Sequence, residues 1–400
     1  MLRKLEFSSC VLVILFLGGC SGVPNYTSLD IAPLPCEFGS EDRHFFPLEF
    51  DEKADVRYTN QLVDLLTRLK DPEKPIKDLV VFSHGWNKNP TSAEADYQNF
   101  LCRLTSSSKN ADVSGMLIVG IFWPSTITGA VKDPWLLKPI SYFRMRNRAD
   151  RISAEGAAEV LTSLVNVLSN NTDASKGMRL HVLGHSFGGR IIVNALRKID
   201  EENDHFERLL SLTSYTRVLL INAALSSERF SWLAERMENI LGIYRASDFQ
   251  KKENSIKSST ESVSPVTIDP SKIEWPVISI GQSSVINLHS FNDSANKIAY
   301  PIASIFTSDT AECAVGACGV KNVPTACVDS SGELLEKSDS DGIELERLSL
   351  NFDINFFNVD GTNIISSHSD IYKGRVANVI SNLLFRSSEE VFVSSETCKN

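Results

Sequence analysis

Short runs rich in β-branched residues alternate with helical stripes along most of the chain, and no other feature limits the fold as strongly. Residues 78–83 (DLVVFS), 116–122 (MLIVGIF), 180–183 (LHVL), 218–221 (VLLI), 285–289 (VINLH) and 355–359 (NFFNV) read as buried strands of a parallel sheet. Between them, apolar side chains recur at helical spacing: Tyr97, Phe100, Leu101 and Leu104; Ala157, Leu161, Leu164 and Leu168; Ile191, Ile192, Ala195 and Leu196. Leu62, Leu65, Leu66 and Leu69 mark an earlier helix, Val376, Val379, Ile380 and Leu383 a last one, and Thr91 with Glu94 forms a capping box. Strand, helix and parallel strand connect through right-handed crossovers, which predicts an α/β fold whose mostly parallel central sheet carries helices on both faces. At ~150 residues per domain, a length of 400 suggests two or three domains. The unbroken alternation instead predicts a single domain over 45–400, with insertions near 247–271 and 300–350.

The first residues have a different character. Arg3 and Lys4 precede the apolar run 10–17, followed by Gly18, Gly19 and Cys20. That is the pattern of a secretory signal peptide over 1–19, and a run this short cannot cross a ~30 Å hydrocarbon layer as a stable helix. Leu17-Gly18-Gly19-Cys20 also resembles the bacterial lipobox. The resemblance implies lipidation of Cys20, including a palmitate, and a membrane-anchored envelope lipoprotein. Ser21 stands where inner-membrane lipoproteins carry Asp, so the resemblance points to the outer membrane. Residues 20–44, with Pro24, Pro33 and Pro35, read as the lipidated N-terminus and a tether.

Composition excludes several classes. Hydrophobic residues at 42% and charged residues at 22% are ordinary for a globular chain, which argues against wholesale disorder or many membrane spans. The net charge of −10, without a long basic run, makes nucleic acid a poor partner. Cys313, Cys318 and Cys327 cluster without a neighbouring His and without repeating a CxxC pair, so disulfides are expected rather than zinc. Cys36 and Cys398 join that expectation, whereas Cys102, inside an amphipathic helix, is expected to be a buried thiol.

The sharpest local signal is Gly184-His185-Ser186-Phe187-Gly188-Gly189, set between a strand and a helix. Glycines let the backbone double back within a few residues, and Ser186 is left at the tip with a helix N-terminus behind it. A serine hydroxyl attacks well only beside a base that is itself oriented by a carboxylate. Three histidines follow the turn. His205 lies in a charged segment and reads as solvated, and His289 reads as a sheet residue. His368, in Ser366-Ser367-His368-Ser369-Asp370, occupies a polar loop before the last helix. The favoured acid is Asp293, which follows the strand 285–289. Asp370 and Glu228 are the rival carboxylates. An oxyanion would be held by the backbone N–H of Phe187 and that of Trp86, from the loop Ser83-His84-Gly85-Trp86-Asn87. His84 belongs to this loop and reads as a structural hydrogen-bonding residue.

Taken together, HGWN at 84–87, FWPS at 122–125, GHSFGG at 184–189, SFND at 290–293 and SSHSD at 366–370 resemble the α/β-hydrolase superfamily, over about 45–384. They look most like bacterial esterase-like proteins with an HGWN loop. Trp123-Pro124-Ser125 and Arg148-Ala149-Asp150 fit the same group. The resemblance implies the α/β-hydrolase fold, with insertions after its sixth and seventh strands, and a catalytic triad of Ser186, Asp293 and His368 without cofactor or metal. It also implies a small-molecule or lipid ester as substrate. Acyltransferase, thioesterase or peptidase chemistry would use the same triad. A non-catalytic lipoprotein using the fold as a binding scaffold is the reading of another class.

Overall fold

The computed structural model describes residues 45–107, 115–127, 138–170, 177–202, 204–241, 277–289, 296, 300, 314–320, 325–326, 344–353, 374–385 and 391–392. Nine strands among them form one sheet: β1 (Phe45–Glu49), β2 (Asp78–Ser83), β3 (Met116–Phe122), β4 (Arg179–His185), β5 (Tyr215–Ile221), β6 (Val277–His289), β7 (Thr325–Ala326), β8 (Glu344–Asp353) and β9 (Val391–Phe392). Neighbours in the order β1-β3-β2-β4-β5-β6-β8-β7 are all parallel, and β9 pairs antiparallel with β6.

The helices are α1 (Thr59–Arg68), α2 (Pro90–Ser107), α3 (Lys138–Arg151), α4 (Ala158–Asn170), α5 (Phe187–Glu201), α6 (His205–Leu212), α7 (Ser227–Leu241), α8 (Val315–Cys318) and α9 (Gly374–Phe385). They divide between the two faces of the sheet because strand side chains alternate. Val80 and Phe82 meet Tyr97 and Phe100 of α2 and Val379 and Ile380 of α9. Leu79 and Val81 face the larger layer, which includes Leu161 of α4, Ile191 of α5 and Phe230 of α7. This two-sided burial is the expected α/β arrangement.

Several boundaries differ from the sequence reading. β1 went unseen because FFPLE is short and carries Pro47, a residue that a sheet accepts at its edge, which is where β1 lies. The strand expected at 285–289 begins at Val277. A parallel strand that the sequence reading did not expect, β8, pairs with β6; the strand expected at 355–359 lies outside the described residues. β8 sits in the stretch taken for an insertion, its alternating Leu348, Leu350 and Phe352 obscured by Glu344, Glu346 and Arg347. Helix α2 is capped by Asn89, whose Oδ1 accepts the Ser92 N–H at 2.8 Å, with Pro90 as the first helical residue; the Thr91–Glu94 box starts inside the helix, past the cap. Cys102 is disulfide-bonded, not a free thiol, and Cys318 is disulfide-bonded as well.

Helices α3 and α4 are one run interrupted by a π-helical turn, Ile152–Ala157. There Gly156 packs flat on Phe50: a Cβ on it would stand 2.6 Å from Cε1 of that ring.

A buried polar cluster ties the amino ends of the central strands together. Asp78 is fully buried and receives a hydrogen bond from His181 Nε2 at 2.9 Å and one from the Arg179 guanidinium. Burial alone would raise the Asp78 carboxyl, but these two partners outweigh it and hold the group below its ordinary value. Burial pushes His181 the other way, down from its usual range, so it stays neutral and donates from Nε2. Beside this cluster the Arg217 Nη1 donates to the Leu383 carbonyl at 2.6 Å and the Tyr215 hydroxyl to that of Leu384 at 3.3 Å. The carboxyl end of α9 is thus fastened to β5.

Asp78→Ala strands a buried histidine and a half-buried guanidinium, and should cost about 3 kcal/mol of folding stability, read as a lowered midpoint in urea denaturation.

Candidate active site

Parallel pairing brings the carboxyl ends of the central strands to one edge, where Ser83 of β2 stands opposite Gly184 of β4, His185 opposite Ile221 of β5, and Ile221 opposite Leu288 of β6. The backbone must there turn from β4 into α5 at a single residue, Ser186, which takes φ 55° and ψ −123°. A non-glycine residue holds such a conformation only where its surroundings fix it. Crowding does so here. A Cβ on Gly184 would lie 2.4 Å from Cα of Gly189, and one on Gly188 would lie 2.1 Å from the Ser83 carbonyl oxygen. Hydrogen bonds complete the restraint: the Ser186 N–H donates to Ile221 O at 3.0 Å, while Ser186 O accepts from Gly189 N at 3.0 Å and Ala224 N at 3.1 Å.

The loop after β2 lies directly against this turn, since a Cβ on Gly85 would be 2.9 Å from that of Ser186. His84 organises the loop from inside. Its Nε2 accepts the Trp123 N–H at 3.2 Å, which places the ring proton on Nδ1, and Nδ1 donates to the Gly85 carbonyl at 2.8 Å. The Trp123 indole N–H donates to His84 O at 2.9 Å, and the His84 N–H donates to the Tyr97 hydroxyl at 3.2 Å. Burial drives the His84 ring down to about 3; the Gly85 carbonyl opposes that drop and the Lys88 charge adds to it. His84 is therefore a neutral structural residue, as its place in the loop suggested. Further along, Asn87, at φ 63°, donates its N–H to Ser125 O at 2.9 Å. The Ser125 hydroxyl accepts the Lys88 N–H at 3.0 Å and donates to the Lys88 carbonyl at 2.9 Å.

Ser186, Trp86 and Phe187 thus come together, with Ser186 and Phe187 buried. The Trp86 ring lies 5.7 Å from that of Tyr142, which lies 4.9 Å from that of Phe187. Tyr142 is a buried core residue, and Phe143 packs on the same core. Asp293, His368 and Cys20 lie outside the described residues. Of the elements that flank Asp293 and His368 in sequence, β6 ends at His289, and α9 begins at Gly374. His289 is buried at the end of β6, as a sheet residue, with Gly319 behind its ring. His205 is buried at the start of α6, contrary to the solvated position expected from its charged neighbours. Glu228 is exposed in the first turn of α7, which weakens it as a rival acid. Among the described residues no three His, Cys, Asp or Glu side chains converge on a point that could hold a metal.

Contacts that sequence reasoning missed surround the turn. Arg190, fully buried in α5, makes a two-pronged ion pair with Asp150, Nε to Oδ1 at 2.6 Å and Nη2 to Oδ2 at 2.9 Å. Arg148 donates from Nη1 to the carbonyls of Pro124 (2.6 Å) and Thr126 (3.1 Å). Asn222, at φ 45°, follows β5 and supports Asn296, whose Nδ2 donates to Asn222 O at 2.6 Å. The backbone of α8 packs onto the same bend, where a Cβ on Gly316 would be 2.1 Å from the Asn222 carbonyl carbon.

Comparison with known proteins agrees with this architecture. A family model described as "Alpha/beta hydrolase of unknown function (DUF900)" matches residues 60–241, so the fold is that of an α/β hydrolase. No curated protein matches the sequence significantly. Among solved structures, an arginase from Bacillus cereus aligns at 9% identity over 76% of this chain and 98% of that one, with a TM-score of 0.22. An agmatine ureohydrolase of Thermoplasma volcanium aligns at 11% identity over 80% and 94%, with a TM-score of 0.21. Likenesses this weak carry no argument about chemistry.

His84 also sets an acid sensitivity. Its ring accepts a proton near 6.5 when unfolded and only near 3 when folded, so the unfolded state binds more protons as pH falls between those values. Folding stability should drop by up to ~1.4 kcal/mol per pH unit in that window from this group, with His181 adding in the same direction. Urea midpoints measured from pH 7 to pH 4 should fall less steeply for His84→Asn than for the wild type.

Proposed function

We propose that this α/β hydrolase is a serine hydrolase that cleaves a neutral carboxylic ester through an acyl-enzyme. The observation that carries the reading is Ser186 itself, a serine at positive φ between a strand and a helix with Gly85 packed against it. Strain of this kind persists where it serves a purpose, and in this fold the turn presents a nucleophile. On this reading His368 removes the Ser186 proton as the hydroxyl oxygen attacks the ester carbonyl, and Asp293 orients the imidazole and stabilises the imidazolium. The N–H groups of Trp86 and Phe187 hold the oxyanion. Collapse of the tetrahedral intermediate expels the alcohol with the proton from His368, and water, activated by the same base, releases the acid.

A net charge of −10 favours a neutral acyl substrate over a polyanion. Within the same proposal, Leu17-Gly18-Gly19-Cys20 directs lipidation of Cys20 and attachment to the bacterial envelope, at the outer membrane. In a bacterial host supplied with radiolabelled palmitate, the wild type should take up label and Cys20→Ser should not.

For the chemistry, a fluorophosphonate probe should label the wild type and not Ser186→Ala. His368→Ala should lower kcat on p-nitrophenyl butyrate by about 10³-fold or more. Undiminished labelling of Ser186→Ala would remove the nucleophile assignment. Stable capture of an ester without turnover would favour the binding-scaffold reading.

A further inference from the structure

The two proposed oxyanion donors stand on separate pieces of chain, Trp86 on the loop after β2 and Phe187 at the start of α5, and one helix touches the supports of both. Arg148 and Asp150 lie two residues apart near the end of α3. Asp150 grips Arg190, in the first turn of the helix that Phe187 begins. Arg148 grips the segment after β3 by its Pro124 and Thr126 carbonyls, and its other terminal nitrogen, Nη2, meets Glu52 at 3.0 Å. Between those two carbonyls sits Ser125, whose own carbonyl and hydroxyl hold Asn87 and Lys88.

We infer that Arg148 is a positioning residue for the Trp86 N–H, an inference that rests on the serine-hydrolase reading of the site. The connection is short and made of defined contacts: guanidinium to Pro124 and Thr126, Ser125 to Asn87 and Lys88, and so to the peptide of Trp86. The guanidinium serves the two carbonyls from Nη1 and Glu52 from Nη2, whereas an ammonium carries its three donors on one nitrogen and does not reproduce that planar spread. The Arg148 side chain is 14% exposed, so its hydrogen bonds are partly shielded from competing water. Without it, two carbonyls lose their donor, the 124–126 segment relaxes, and the loop it holds drifts from Ser186. Because α3 also fixes α5 through Asp150, the separation of the two donors is set from one rigid element.

The test compares wild type, Arg148→Lys and Arg148→Met as full-length protein in detergent. It measures kcat and KM on p-nitrophenyl butyrate, inhibition by a trifluoromethyl ketone, whose serine adduct places an oxyanion between the donors, and the thermal midpoint. Arg148→Met should lose about 10- to 100-fold in kcat, with KM changed less than about threefold and ketone affinity falling in step with kcat. Arg148→Lys should recover part of both losses, and it carries the test alone if Arg148→Met does not fold. A folded Arg148→Lys or Arg148→Met with wild-type kcat and ketone affinity overturns the inference, as does a fall in kcat with ketone affinity intact. A wild type that the fluorophosphonate fails to label overturns the serine-hydrolase reading as well, so the two failures are distinguishable.

Discussion

The approach of α5 to the carboxyl end of β2 governs the rest of the molecule. Gly188 comes so near Ser83 that a single methyl group would land 2.1 Å from its carbonyl oxygen. That proximity requires the chain to reverse at one residue, which puts Ser186 at φ 55° and turns the first peptides of the helix toward the sheet edge. Strained backbone of this kind costs of order 1–3 kcal/mol. The Ser186 amide and carbonyl, held by Ile221, Gly189 and Ala224, and the surrounding core offset that cost. The loops after β2 and β5 pack against the turn.

Two buried histidines stabilise opposite ends of the sheet by different means. His84 is a hub for neutral hydrogen bonds and links the β2 loop to β3 through Trp123. His181 contributes a neutral donor to a charged pair, Asp78 and Arg179, at the amino ends of the strands. Burial lowers both rings from the usual histidine range and favours their neutral form.

Much of the fold was legible because its signals are local. A buried parallel strand needs a short apolar run, and 78–83, 116–122 and 218–221 fall where such runs stand. The turn at Ser186 was legible for the same reason, since the glycines that permit it flank it in sequence. What stayed hidden depends on partners far along the chain. β8 carries charges that disguise its alternation, and β1 holds a proline that only its edge position excuses. The contact of Arg190 with Asp150 joins residues 40 positions apart, and that of Arg148 with Glu52 joins residues 96 apart. No periodicity announces such pairs. Cys102 misled because a half-buried cysteine in a helix looks alike whether reduced or bridged.

The π-helical turn Ile152–Ala157 gives the braces around Ser186 their angular setting. A π turn holds one residue more than the α-helical turn it replaces, and each residue of an α-helix advances the face by ~100°. Deleting one residue there would restore ordinary winding and rotate everything before it by about that angle relative to α4. Arg148 and Asp150 would then swing away from the carbonyls and the guanidinium they hold, though neither had been altered. For this stretch of chain, length is as much a part of the design as side-chain identity: substitutions among Ile152–Ala157 can be absorbed where volume allows, but insertions and deletions cannot.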